Sequence, residues 1–118
     1  MAVAYNLEIN QGADWFLNIT YEQPAGTPVN LSNYTAACQL RSLPQDTTAV
    51  LTLTTENGGI AITAGTGLVA LHATAAETGA IDEGVYYYDV EVTDLGNNVV
   101  TRLVQGQAEV SAQITRTV

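Results

Sequence analysis

Asp82, Glu83, Asp89, Glu91 and Asp94 crowd into one short stretch of the chain, the kind of hard oxygen ligands a calcium ion needs. Asp89 and Glu91, however, alternate with Tyr88, Val90 and Val92, which is the pattern of a solvated strand face. Two carboxylates in that stretch would suit glycoside hydrolysis only at a particular separation in space, and a sequence does not contain that separation. His72 is the one histidine and Cys38 the one cysteine. A zinc site needs several converging ligands, so His72 is expected to be structural or on the surface. A nucleophilic cysteine needs a histidine partner and electropositive surroundings; Cys38, between Ala36 and Leu40 on an apolar strand face, reads as a small buried residue. Gly58-Gly59 and Gly65-Thr66-Gly67 are turn glycines with no helix behind them, so no phosphate cradle is implied. The motifs assemble no nucleophile, base and orienting group. The expectation is a non-enzymatic protein with no catalytic residue, no cofactor and no bound metal.

The elements that carry these residues are strands. Tyr5, Leu7 and Ile9 alternate in a first strand, and Trp15, Leu17, Ile19 and Tyr21 in a second, whose other face shows Asp14, Phe16, Asn18 and Thr20. A proline- and glycine-marked loop leads to a bridging turn in which Leu31 and Tyr34 plug the core. Ala36, Cys38 and Leu40 alternate in a third strand, Leu51 and Leu53 in a fourth. Ile60–Ile62 and Leu68–His72 flank a four-residue hairpin loop, Ala64–Gly67. Thr74, with Glu77 three residues on, predicts a capping box on the one short helical turn. The best alternation runs from Val85 to Asp94. It returns through Gly96-Asn97-Asn98 along Val99 to Val110, where Gly106 suggests a bulge.

Length and composition bound the rest. The 118 residues are one domain, 1–118, large enough to bury a core without staples. Charged residues are only 13% of the chain, against about 25% in an ordinary globular protein, so polar surface can be desolvated at low cost. Net charge is -9, with no lysine and only Arg41, Arg102 and Arg116 as cations. A nucleic-acid or anionic-membrane partner needs a basic footprint, so neither is expected. A single cysteine fits a reducing compartment, and neither a signal peptide nor an apolar run of membrane-spanning length is recognisable. Synthesis in a cytoplasm is expected.

Asp82-x-Gly84-x-Tyr86 resembles the turn of immunoglobulin-like domains that leads into the strand bearing the tyrosine corner. The resemblance implies that Tyr86, Tyr88, Val90 and Val92 face inward and that Tyr87, Asp89, Glu91 and Thr93 face out. It departs from antibody domains in having no cysteine pair and an early tryptophan, Trp15. The fold class expected is an all-β, immunoglobulin-like antiparallel sandwich of about eight short strands, with Trp15, Asp82, Gly84, Tyr86 and Tyr88 as its structural residues.

A series of segments in order carries a second resemblance: Gln11-Gly12-Ala13-Asp14-Trp15, Gly26 through Ala36, Gln39-Leu40-Arg41, Gly84-x-Tyr86-x-Tyr88-Asp89-Val90-Glu91, Arg102-Leu103-Val104-Gln105-Gly106, and Ser111-x-x-Ile114-Thr115-Arg116. Together they resemble small immunoglobulin-like virion structural proteins of tailed bacteriophages, of the upper-baseplate, fibre-attachment or head-decoration type. That resemblance implies a virion component that docks to the tail, baseplate or fibre apparatus, or cements the capsid, among other virion proteins and copies of itself. Phe16, Tyr87, Leu95, Val99, Ile114 and Arg116 are the candidate interface residues, and the tail 111–118 a candidate extra strand for a neighbour. The same apolar residues would otherwise close the sandwich ends. A third possibility is a carbohydrate-binding module that stacks sugars on Trp15, Tyr34 or Tyr87, with calcium at Asp82 or Asp94.

Overall fold

A computed structural model of the protein describes residues 3–24 and 26–115. Nine strands, β1 (Val3–Ala4), β2 (Leu7–Asn10), β3 (Trp15–Thr20), β4 (Tyr34–Arg41), β5 (Leu51–Thr54), β6 (Ile60–Thr63), β7 (Leu68–Ala73), β8 (Gly84–Asp94) and β9 (Val99–Ser111), form two sheets. One holds six strands in the order β1-β9-β8-β4-β5, with β2 also on β9; the other is β3-β7-β6. The sheets pack as a sandwich over a single core. In immunoglobulin terms β3, β7 and β6 take the B, E and D places, and β4, β8 and β9 the C, F and G places.

The start of the chain departs from the constant-type immunoglobulin plan. In constant-type domains the first strand lies beside B. Here β1 and β2 run parallel to β9, Val3 against Val104 and Leu7 against Ala108, in the opposite sheet. All other strand pairs among the described residues are antiparallel. β3 therefore pairs with β7 alone.

Alternation builds the core. Ala36, Cys38, Leu40, Leu51, Leu53, Val69, Leu71, Tyr86, Tyr88, Val90 and Val92 are buried, and Leu31 plugs one end, while Tyr34 packs against the core half-buried. Two sequence expectations are corrected. Tyr5 does not share the inward face of Leu7 and Ile9 but is exposed, because the strand breaks at Tyr5–Asn6. There Tyr5 passes Gly106 so closely that a Cβ on Gly106 would sit 2.3 Å from the Tyr5 carbonyl oxygen. Gly106 thus marks a close approach and not a bulge. The register shift lies instead between Val90/Glu91 and Val104/Arg102, which leaves Leu103 unpaired and buries it next to Val104.

The helical turn α1 (Ala75–Gly79) forms as its cap requires. Glu77 N donates to Thr74 Oγ1 and Thr74 N to Glu77 Oε1, a complete capping box. The fully buried Thr78 hydroxyl donates to the Ala13 carbonyl at 2.8 Å and accepts from Gly12 N at 3.1 Å, which ties α1 to the β2–β3 connection. Within the described residues no helix is long and apolar enough to cross a membrane.

Candidate protein interface

Tyr86 and Tyr88 are buried and hydrogen-bonded. Tyr86 Oη donates to the Asp82 carbonyl at 2.6 Å, four residues upstream, as a tyrosine corner requires. Gly84 starts β8 at φ 151°, a conformation open to glycine because it has no Cβ. Tyr88 Oη donates at 2.6 Å to the Tyr5 carbonyl and so pins the break between β1 and β2 across the sheet. Burial, reinforced by Asp82, pushes the Tyr86 phenol upward. Burial, then Cys38 and Tyr5, pushes Tyr88 further in the same direction. Burial and, secondarily, Asp89 raise the Cys38 thiol to about 12, which keeps it a protonated core residue.

The candidate chemistry disperses. Asp94 ends the eleven-residue β8, whereas Asp82 lies in the turn before it starts at Gly84. Asp89 and Glu91 project outward and face Arg102, at 3.2 and 3.8 Å. Among the described residues no group of three potential metal ligands converges. His72 lies 3.4 Å from Asp14 Oδ2 and stacks on Phe16, ring centroids 4.4 Å apart. Trp15 is buried at the start of β3, which removes it as a sugar-stacking platform. Tyr34 is half-buried.

The candidate interface residues are exposed rather than folded into the sandwich ends, but they do not form one patch. Phe16, 66% exposed, is on the outer face of the three-stranded sheet. Tyr87 is on the outer face of the six-stranded sheet, in a shallow concavity of about 670 Å³ with Gln39, Arg41 and Gln107. Leu95 and Val99 flank the tip of the β8–β9 hairpin, and Ile114 stands 90% exposed beyond β9. Arg116 and the end of the tail lie outside the described residues; Ala112 to Thr115 form no strand.

The most continuous surface is one the sequence did not single out. Along the uncovered edge of β3 the two sheets part in a seam. One section, about 700 Å³, is lined by Val3, Tyr5, Leu17, Ile19, Tyr21, Leu103 and Val104. Another, about 650 Å³, runs on past Tyr5 and Leu17, which line both, to Trp15, Phe16 and Val85 beside Glu8 and Glu109. Val3, Tyr5 and Val85 are each more than half exposed. Val85 was legible in principle, since it shares the outward parity of Tyr87. Val3 and Tyr5 were not, because their exposure depends on the break opposite Gly106.

No protein-family model matches the chain, and a search of curated proteins found no match.

Proposed function

We propose that the chain is a non-enzymatic structural component of a tailed-phage virion that docks to the tail, baseplate or fibre apparatus through protein contacts. The observation that carries this reading is the surface: the sandwich presents Phe16 outward among neutral polar residues, and leaves Tyr87, Leu95, Val99 and Ile114 exposed elsewhere. Such apolar groups bordered by uncharged polars lose little solvation when another protein covers them. Two of the segments on which the resemblance rests are Gly84 to Glu91, in the central strand, and Arg102 to Gly106, in its bulged partner. The partners are other virion proteins and further copies of this chain, with neither nucleic acid nor membrane among them. Capsid decoration is the competing assembly role.

The test is position in the particle. Virions carrying an epitope-tagged copy, labelled and imaged by electron microscopy, should show density at the tail or baseplate. Density confined to the capsid shell would replace the docking role with decoration. Purified particles that lack the protein would end both.

A further inference from the structure

β3 is the edge on which this fold leaves most undone. Natural edge strands are kept short, broken, charged or proline-bearing, so that their unpaired backbone groups do not recruit another chain. β5 and β6 are four residues each, and the β1–β2 edge is broken at Tyr5–Asn6. β3 has six residues, Trp-Phe-Leu-Asn-Ile-Thr, with no charge, no proline and no glycine. It is unpaired on its outer side among the described residues, and the seam beside it sets Leu17, Ile19, Leu103 and Val104 among polar groups that include Glu22 and Arg102.

We propose that two copies of this chain pair edge to edge through β3, antiparallel about a twofold axis, joining their three-stranded sheets into one of six strands. Two observations make the occupant of the edge a second copy, and a third sets how tightly it is held. The first is charge: β3 itself carries none, so two copies of a molecule of net charge -9 meet there with the acids Asp14 and Glu22 only beyond its ends. The second is self-complementarity. In a twofold pair residues of like parity come opposite one another, so the inward set Trp15, Leu17, Ile19 of one copy continues the inner layer of the other and covers its half-exposed seam. The third is extent. At about 3.3 Å per residue the edge is about 20 Å long. With the 25 Å short axis of the molecule this gives roughly 500 Å² per copy, below the ~800 Å² of a standard interface. The pairing is therefore concentration-dependent, suited to subunits that an assembly brings together. It does not depend on where in a particle the protein sits.

The experiment is sedimentation velocity of the full chain from micromolar to millimolar concentration, with hydrogen exchange at both ends of the range. A dimer should appear as concentration rises, with new amide protection confined to Trp15–Thr20. Asn18→Lys places a charge on the exposed side of the edge and should weaken association at least tenfold. Thr20→Lys should do the same and guards against a folding defect in the first variant. A chain ending at Ser111 should dimerise as before. A monomer at millimolar concentration, a dimer indifferent to both lysines, or a dimer lost only with the tail each overturns the proposal, and the last names the tail as the occupant.

Discussion

The two outer faces of this sandwich are built by the same alternation and look nothing alike. Outward from the six-stranded sheet point Glu8, Arg41, Asp89, Glu91, Arg102 and Glu109, with Arg102 set between two of the acids. Outward from the three-stranded sheet point Phe16, Asn18, Thr20, Ala61, Thr63, Leu68, Ala70 and His72. Of these residues only His72 can carry a charge, and Asp14, just before β3, lies 3.4 Å from it. The inward residues suffice to hold each sheet, so the outward ones are free to suit what the face meets. A charged face keeps an acidic molecule apart from its copies, whereas a neutral one gives up its water cheaply. Both the exposed Phe16–His72 stack and the uncovered β3 edge belong to the neutral sheet.

The largest effect should come from the anchor of the charged sheet. Tyr86→Ala removes a buried ring and orphans the Asp82 carbonyl, and should cost about 3 kcal/mol or more in urea unfolding. A cost under about 0.5 kcal/mol would mean that this strand does not carry the core. Gly106→Ala comes next, at about 2 kcal/mol, because its Cβ meets the Tyr5 backbone and not a movable side chain. The same assay checks it, and loss of β1 protection in hydrogen exchange would locate the damage.

The six-stranded sheet should also fail in alkali. Tyr88, Tyr86 and Cys38 have folded pKa values raised above their unfolded ones, so each binds its proton more tightly when folded. Their contribution is fully present below the ordinary values, 9.0 for the thiol and 10.0 for the phenols, and is lost as pH rises through the folded ones. Melting temperature should fall from about pH 9 upward, and Cys38→Ala should flatten the first part of that fall, between pH 9 and 10. The smallest effects separate the two faces directly. Arg102→Ala should cost under about 0.5 kcal/mol, and only at low salt. Phe16→Ala should cost under about 1 kcal/mol at any salt, since an exposed aromatic stack is not screened. Circular-dichroism melts at low and high salt distinguish them.

Much of the fold could be read from local pattern. The inward parity of β8, the capping box at Thr74 and the corner tyrosine depend on residues a few positions apart, and each took the predicted geometry. The interface was less legible. Phe16, Tyr87 and Ile114 are exposed, but nothing in their spacing tells that they lie on separate faces. Trp15 could be offered as a platform only while its neighbours were unknown.

The amino-acid sequence alone determined which side of each strand faces inward, because hydrophobic alternation is a property of adjacent residues. It also determined a scarcity of charge that leaves parts of the surface cheap to cover. Only the tertiary structure decided that β1 and β2 join β9 and leave β3 bare. That choice rests on contacts distant in sequence: Tyr88 to the Tyr5 carbonyl, Asn6 to Gln107 N, and a glycine at position 106 that lets the backbones meet. Strand partners are set by the sum of such long-range contacts, and no short stretch of the chain contains them.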